Sequence, residues 1–430
     1  AEITSAADFL DPIGKLENLS RSPNKGGHAL QTVALNQPRA LPLDANGKGY
    51  CYLPVTTGNA PAVTFPTIGA NDDFVLEMVA YVVNSDEFHL VTGANANNRF
   101  LINYSFNTHF FDGYTQIPLT QLSSGLSTLT VERSSGLFQF KQNGVVKSSI
   151  SNHSRSYNFS HLSFNGQFST GAAPLNGYIQ TTTLSINGTE ELDVDFTATN
   201  VRHGATKFKC ATGQVVTINK SGNDPSTIIK KPVLRFSSAT SGLKGLFANQ
   251  IDGGYMFAAF SVLGDGGEAW ARVFTTSLAG SGTDYSVAGA GFSLRSSDGD
   301  NLQSLVDSTI NFQNGMFDDS NGDILHVVKV ENGSQTSAVN NAGFLSNNRT
   351  TTINSDEFNI GFDNYSNSSA AIDLEFLALF SADSVPDEAT AKRIRDYING
   401  RGANPIFTLI DSAGYYFYDA QKAPVGNISS

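Results

Sequence analysis

One short alternating stretch carries acidic residues that could do acid–base chemistry. In "ELDVDF" (191–196), Glu191, Asp193 and Asp195 occupy every second position, so a β-strand would place all three carboxylates on one face. Two carboxylates can serve as nucleophile and general acid in glycoside hydrolysis. The alternative is a solvated edge strand, whose charges block pairing with other chains. We favour the edge strand and predict no catalytic residues and no enzyme activity.

A second acidic stretch could hold a cation. Asp319, Asn321 and Asp323 lie at alternate positions, and carboxylate and amide oxygens are ligands that Ca²⁺ accepts. The glycine and the bidentate glutamate of an EF-hand loop are missing from their positions. A plain acidic turn before a strand explains the same residues and is the favoured interpretation. Ca²⁺ is therefore the one cofactor considered, and otherwise none is predicted.

An aromatic loop offers a shallow surface for a sugar. Tyr104, His109, Asp112 and Tyr114 fall within "NYSFNTHFFDGYTQ" (103–116). Tyrosine combines a flat apolar ring with a polar tip, which suits contact with a glycan. Thirty Phe and 14 Tyr against a single Trp indicate cores built from Phe and no cleft lined by indoles. The alternative for this loop is ordinary strand and loop packing.

The stretch "NHSRSYNFSH" (152–161) is a second candidate for lining a sugar site. His153 and His161 flank Arg155 and Tyr157 there. The seven histidines are otherwise isolated, and none pairs with another at the spacing of metal ligands. Use in the core or on the surface is the favoured interpretation.

Composition limits the class of protein. Only 15% of the 430 residues are charged, and Ser, Thr, Asn and Gly supply the polarity, which favours β-structure with many turns. The 27 basic residues are scattered and the net charge is −12, so we predict no nucleic-acid partner. No apolar stretch approaches the about 20 residues of a membrane span, and no signal peptide is visible. The start at Ala1 fits removal of an initiator Met or of a longer leader.

Two cysteines far apart do not make a disulfide framework. Cys51 and Cys210 lack the spacing of a metal or redox motif. Two buried free thiols are the favoured interpretation, and a bridge between them is the alternative.

The chain repeats itself over about 190 residues. Short alternating runs separated by Gly, Asn, Asp and Ser indicate strands and tight turns along most of its length. Four stretches of the first half are answered in the same order by four of the second half, which predicts two tandem β-domains. The matched pairs are 41–55 with 232–247, 72–93 with 252–274, 127–136 with 323–334, and 161–186 with 358–380.

The repeat sets the predicted domain boundaries. One helix is expected at 384–402, where Ser384 caps the first turn and Gly400 or Gly402 ends it. Ala391, Ile394 and Ile398 lie near one face and would dock on the second domain. The predicted parts are an extended arm (1–35), a first β-sandwich (36–190), a β-hairpin with linker (191–231), a second β-sandwich (232–404), and a C-terminal strand with tail (405–430).

The segment "LTVERSSGLFQFKQNGVV" (129–146) resembles an element of laminin-G-like and concanavalin A-like domains. In that family a strand crosses the sheet, turns, and returns to an Asn-Gly or Asp-Gly turn; "LHVVKVENGS" (325–334) resembles the same element. The closing strand followed by a helix at 371–398 is similar to domains of bacteriophage virion proteins. The family includes glucanases with a Glu-x-Asp-x-Glu signature, which 191–195 resembles except for its last acid.

The resemblance implies a fold and a class of function. The fold is an all-β pair of antiparallel sandwiches, or jelly rolls, with Gln139, Lys141 and Gln142 on the solvent side of the hairpin. The function is that of a non-enzymatic virion surface protein: a capsid decoration protein, a head fibre or part of a tail fibre. Its partners would be other virion proteins and further copies of itself, by analogy a trimer, with a host polysaccharide as a further ligand. The alternative functions are a lectin-like module and, less favoured, a glycan-degrading enzyme.

Overall fold

A computed structural model gives the fold. It describes residues 15–16, 29–30, 32, 37–54, 60–82, 88–93, 97–103, 108–162, 177–218, 224–237, 241–267, 269–280, 289–295, 301–306, 309–317, 323–331, 333–340, 343–348, 353–362, 368–381, 389, 407–411, 414–418 and 424–428. The chain folds into two compact units. The inserted unit is Asp44–Lys230, and the split unit joins Ala1–Leu43 to Lys231–Ser430.

Short strands make up nearly all of the described structure. Before residue 44 they are β1 Lys15–Leu16, β2 Ala29–Leu30 and β3 Arg39–Leu41. The inserted unit has β4 Tyr50–Leu53, β5 Phe74–Val82, β6 Phe88–Gly93, β7 Arg99–Asn103, β8 His109–Phe111, β9 Gln116–Pro118, β10 Gly125–Ser134, β11 Leu137–Gln142, β12 Val145–Ile150, β13 Phe159–Leu162, β14 Gly177–Ile186, β15 Thr189–Asp195, β16 Lys207–Lys209, β17 Val215–Thr217 and β18 Thr227–Ile229. The remainder has β19 Val233–Phe236, β20 Leu243–Ile251, β21 Gly254–Gly267, β22 Arg272–Ser277, β23 Ala290–Arg295, β24 Asn301–Val306, β25 Thr309–Met316, β26 Asp323–Glu331, β27 Ser334–Val339, β28 Leu345–Asn348, β29 Ser355–Ile360, β30 Ala370–Ser381, β31 Phe407–Asp411, β32 Gly414–Tyr418 and β33 Pro424–Ile428.

The inserted unit is a sandwich of two antiparallel sheets. One sheet has the order β12-β11-β10-β5-β14-β4-β18, with β15 paired to β14, and the other has the order β13-β6-β7-β8-β9. Alternation decides which side chains face inward: in β5, Phe74, Leu76 and Met78 are buried, whereas Val75 is exposed. Side chains from both sheets form one apolar core.

Aromatic rings fill that core at the end of the sandwich that carries Tyr157. Phe100 lies 4.9 Å from Tyr157 and 4.8 Å from Phe159, centroid to centroid. Phe138 lies 5.9 Å from Phe100 and 5.8 Å from Phe110. Edge-to-face and offset contacts of this kind add to the free energy gained by burying the rings.

The split unit is a second antiparallel sandwich. One sheet has the order β28-β27-β26-β21-β30-β19-β3, and the other has the order β1-β2-β20-β29-β22-β23-β24-β25. Its apolar core takes side chains from both sheets, among them Phe260 of β21 and Phe292 of β23. The strands β31, β32 and β33 pair with one another in a separate three-stranded sheet.

The two sandwiches have the same strand order. Read position by position, β12-β11-β10-β5-β14-β4 of the inserted unit corresponds to β28-β27-β26-β21-β30-β19 of the split unit, and β13-β6-β7-β8-β9 corresponds to β29-β22-β23-β24-β25. The four repeated stretches of sequence fall on corresponding strands. The predicted all-β fold with two similar sandwiches is therefore confirmed.

Several details differ from the expectations. Residues 1–43 group with the second sandwich, because β3 pairs with β19 and β2 pairs with β20. Residues 191–230, predicted as a hairpin attached to the first sandwich and a linker, group entirely with the first. The predicted helix at 384–402 lies, except for the helical Ala389, outside the described residues. Among the described helical residues none forms a helix long and apolar enough to cross a membrane.

The solvent-side position predicted for Gln142 is wrong. Its side chain is buried, because β11 alternates and Gln142 shares the inward face with Phe138 and Phe140. Its amide donates to the Ser123 carbonyl (2.7 Å) and to the Ser127 hydroxyl (2.9 Å). Both cysteines are buried free thiols, as favoured.

Candidate functional site

An exposed tyrosine and an arginine form a pair on the surface of the inserted unit. Tyr114 is 43% exposed, and the Arg155 guanidinium carbon lies 4.8 Å from the centroid of its ring. Arg155 is also exposed. The two belong to different segments, the turn between β8 and β9 and the loop between β12 and β13. We call this pair the Tyr114–Arg155 platform.

The carboxylate of Asp112 fixes the turn that carries Tyr114. Its Oδ1 accepts the backbone N–H of Tyr114 (2.8 Å) and of Thr115 (2.6 Å), the bonding pattern by which Asp stabilises turns. Gly113 has φ +91°, and a Cβ there would lie 2.3 Å from the Asn97 carbonyl oxygen. Only glycine fits this position without displacing the backbone.

The other carboxylate oxygen of Asp112 ties the turn to the 153–157 segment. Its Oδ2 lies 2.7 Å from Nε2 of His153 and 3.4 Å from the Tyr157 hydroxyl. The hydroxyl lies 3.1 Å from the same Nε2. We assign the ring proton to Nε2, where the carboxylate accepts it. The His153 ring stacks on Phe138, 4.3 Å between centroids, so one face of the ring and its Nε2 edge are held in place.

Arg133 fixes the segment that carries Arg155. This buried arginine near the end of β10 donates to three backbone carbonyls, those of Asp72 (2.8 Å), Arg155 (2.6 Å) and Gly69 (2.5 Å). Its guanidinium also lies over the Phe74 ring, 5.2 Å from the centroid. Both halves of the platform are therefore held from below by a buried charged side chain.

The electrostatics of the buried groups follow from burial and hydrogen bonding. Burial alone would raise the pKa of Asp112, but the bonds from His153, Thr115 and Tyr114 outweigh it and leave the pKa below its ordinary value. Burial, helped by the nearby Asp112 carboxylate, raises the pKa of Tyr157. At neutral pH the cluster therefore holds an ionised carboxylate and a protonated phenol.

The structure brings some of the predicted residues together and leaves others apart. Asp112 and Tyr114 share one turn, but Asp112 is fully buried and so supports the turn without reaching a ligand. His109 lies at the start of β8, where its Nδ1 contacts the Thr108 hydroxyl at 2.7 Å. Tyr104 lies outside the described residues.

Of the three predicted Ca²⁺ ligands, the structure describes one. Asp319 and Asn321 lie outside the described residues, and Asp323 is the first residue of β26. Elsewhere, no group of three or more His, Cys, Asp or Glu side chains that could hold a metal ion occurs within the described part of the chain.

The three alternating carboxylates lie on β15, which pairs with β14 and with no other strand among the described residues. Leu192 and Val194 point into the core, whereas Glu191, Asp193 and Asp195 are half-buried on the other face. The Oδ1 of Asp195 accepts the backbone N–H and the hydroxyl of Thr197, both at 2.7 Å. This edge position fits the favoured interpretation of a charged edge strand.

The platform suits recognition better than chemistry. Asp112 and His153 resemble an acid–base pair, but the side chains are 0% and 4% exposed, so a substrate atom cannot approach them. Their partners are backbone N–H groups and the Tyr157 hydroxyl. A flat ring and a guanidinium held rigidly at the surface can instead contact a ligand at a low entropic cost.

Sequence reasoning named Asp112 and His153 in separate stretches and missed both their contact and the role of Arg133. The two are 41 residues apart, and no local pattern reports a contact across that distance. The arginine at the end of an alternating strand is the one local signal, because a charge at an inward position requires buried partners.

Comparison with known proteins gives a distant likeness in structure only. No protein-family model matches the chain, and no curated protein matches it. Domains LG4-5 of the mouse laminin alpha1 chain are 10% identical with a TM-score of 0.27, over 79% of this chain and 91% of that one. The LG1-3 region of the laminin alpha2 chain is 10% identical with a TM-score of 0.25, over 75% of this chain and 62% of that one. TM-scores this low carry no argument about family or function, so the assignment that stands is the fold itself, two antiparallel β-sandwiches of one strand order.

Proposed function

We propose that this chain is a non-enzymatic binding protein that recognises a glycan at the Tyr114–Arg155 platform. One observation carries the proposal: an exposed tyrosine and an exposed arginine are paired at 4.8 Å and are each held by a buried charged residue. A sugar ring presents an apolar face that packs on an aromatic ring and hydroxyls that bond to a guanidinium. An aromatic ring carried on a turn that is already fixed binds at a lower cost in backbone entropy.

The test is binding to an immobilised glycan array by the full chain and two variants of Tyr114. Tyr114→Ala removes the ring, and we expect it to weaken the strongest wild-type signals by about tenfold, the loss of one stacking contact. Tyr114→Phe keeps the ring and should retain most of the binding. Val145→Ala is the control, because Val145 is 60% exposed in another part of the same unit.

Two outcomes would contradict the proposal. One is an array on which the wild-type chain binds no glycan above background. The other is glycan binding that Tyr114→Ala leaves unchanged, because the contact would then lie elsewhere on the chain.

We further propose that this binding serves at the surface of a bacteriophage particle, where the chain acts as a decoration or fibre component. The resemblance of 371–398 to virion domains supports this setting, and so does a surface that is poor in charge and rich in loops. Its partners there would be other virion proteins and copies of itself. Mass spectrometry of purified particles, with antibody labelling in electron micrographs, tests the setting; a chain absent from the particles would exclude it.

A further inference from the structure

The guanidinium of Arg155 has no anionic partner within the described part of the chain. Its described contact is with the face of the Tyr114 ring, and its own backbone carbonyl, not its side chain, bonds to Arg133. A guanidinium carries five N–H donors in a planar fork that matches a carboxylate. Contact with a ring face leaves the edge of that fork open to a ligand.

In a chain with more acidic than basic residues, an exposed arginine without an anionic partner is unusual. The chain has 39 acidic residues and 27 basic ones, so carboxylates are in excess over possible partners. The buried Arg133 is committed to three carbonyls. A half-buried arginine, Arg99, lies over the ring of Phe111, 4.9 Å from its centroid. Two arginine–aromatic pairs thus lie at one short segment, 111–114, whose own carboxylate, Asp112, is turned inward onto His153.

The segment is also rigid before any ligand arrives. Asp112 accepts hydrogen bonds from the backbone N–H groups of Tyr114 and of Thr115. Gly113 adopts a φ that other residues disfavour. Stacking of a ligand on Tyr114 benefits from such preorganisation, because the backbone of the turn loses little freedom on binding.

We propose that the ligand of the platform is an acidic saccharide whose carboxylate pairs with Arg155 while its ring packs on Tyr114. This inference rests on the proposed glycan-binding function and narrows it to uronic-acid-bearing sugars. A neutral sugar offers the guanidinium only hydroxyl acceptors, whereas a carboxylate forms a charge-assisted, bidentate pair with it and needs no metal ion.

The experiment compares matched saccharides on the full chain. The probes are hexasaccharides of galacturonate, glucuronate and guluronate type, each tested beside its carboxyl-reduced counterpart, which keeps the ring and linkage but carries CH₂OH. Calorimetry or interferometry should show at least one acidic probe binding about 10- to 100-fold more tightly than its reduced partner, the range for a hydrogen-bonded charge. Raising salt from about 0.05 M to about 0.5 M should reduce that difference.

Three variants locate the carboxylate contact. Arg155→Gln should bring the affinity for the acidic probe down to that of the reduced one, and Arg155→Lys should fall between, because lysine keeps the charge but loses the fork. Arg202→Gln is the matched control, since it removes one exposed positive charge elsewhere in the inserted unit. Unchanged unfolding curves for the variants confirm that folding is intact.

The outcomes separate the two proposals. Equal binding of acidic and reduced probes, still lost in Tyr114→Ala, overturns the acidic ligand and leaves glycan binding standing. Preference for acidic probes that Arg155→Gln does not change also overturns it. Failure of every probe, acidic and reduced, together with an empty array, overturns the glycan function itself.

Discussion

The carboxylate of Asp112 holds together two segments of the inserted unit, the 112–115 turn and the 153–157 segment. Its buried position could not be predicted from the residue types around it. Its sequence neighbours suggested a ligand-binding side chain. The structure places it beneath the surface, because its four acceptor sites are used by the turn it belongs to and by His153 and Tyr157. Composition identifies a polar, aromatic loop; whether a side chain in it faces solvent depends on a partner segment 41 residues away.

Replacing Asp112 should therefore destabilise the chain. Asp112→Ala leaves two backbone N–H groups, the His153 ring and the Tyr157 hydroxyl without their acceptor, and we expect a loss of about 3 kcal/mol in the free energy of unfolding. Urea denaturation measures it. Ser154→Ala, on an exposed neighbour bonded only to Asn71, should change stability by less than about 0.5 kcal/mol. Equal effects of the two substitutions would show that the carboxylate is not structural.

The acid dependence of Asp112 has a definite sign. Its pKa in the folded chain lies below 3.8, the ordinary value for an aspartate, so the stabilisation is fully present above that value and is lost as pH falls through the lower, folded pKa. The difference in unfolding free energy between the wild-type chain and Asp112→Ala should hence be constant from pH 7 to about 5 and shrink at still lower pH.

His326 joins three strands of the split unit and makes the stability of that unit depend on pH. It lies on β26 inside the split unit, with Nδ1 2.9 Å from the Ser293 hydroxyl of β23 and Nε2 3.0 Å from that of Ser337 on β27. It thus bridges the two sheets. Burial lowers its pKa from 6.5 to about 3, so the folded chain keeps it neutral while the unfolded chain takes up a proton.

Stability of the split unit should consequently fall as pH drops from 6.5 toward 3. His326→Gln keeps a polar side chain but cannot titrate, so its deficit relative to the wild-type chain should be smaller at pH 4.5 than at pH 7. Chemical denaturation at the two pH values measures this. A deficit that stays the same would mean that His326 titrates normally in the folded chain.

At the scale of elements, the sequence predicted the strands and tight turns well because both are local. The turn at Asn143-Gly144 has φ +50° and +77°, as a two-residue hairpin turn requires. The alternation of β15 likewise placed Glu191, Asp193 and Asp195 on one face of the strand, as the structure has them. Gln142 was misplaced because its polarity outweighed its position in the alternation. Sheet order could be anticipated only through the internal repeat, since strand pairing is non-local.

Alanine substitutions at three glycines would distinguish the cost of backbone strain from the cost of steric contact. Gly343 has no positive φ and open space around it, Gly144 has φ +77° and open space, and Gly113 combines φ +91° with a contact of 2.3 Å. We expect Gly343→Ala to be nearly neutral, Gly144→Ala to cost about 1 kcal/mol, and Gly113→Ala to cost more than either. Thermal or urea unfolding ranks them; any other order would contradict the geometry.

At the scale of the whole molecule, the sequence predicted two sandwiches but not that one is inserted into the other's chain. The arm before residue 44 is short, polar and irregular, so nothing in it signals that β3 completes a sheet whose other strands begin at β19. The pairing joins residues almost 200 positions apart. The internal repeat identifies strands that are equivalent in the two halves. It does not show that β3, which precedes the first half of the repeat, pairs with a strand of the second half.

Fragments test the boundaries. The inserted unit, residues 44–230, should fold alone and give a cooperative unfolding transition, whereas residues 36–190, the predicted first domain, lack β18 and the 191–230 segment and should be less stable. Residues 231–430 should fold poorly unless 1–43 are supplied on the same chain, for example through a circular permutation. A stable 231–430 fragment would show that β2 and β3 are dispensable.

The register of β3 with β19 decides how the chain would respond to a mechanical load. Leu41 faces Val233, and Arg39 faces Arg235, so the polypeptide departs toward the inserted unit and returns from it at one end of this ladder. While this pairing holds, tension applied to the two termini passes between β3 and β19 and bypasses residues 44–230. The Tyr114–Arg155 platform therefore stays free of tension for as long as the pairing of β3 with β19 holds.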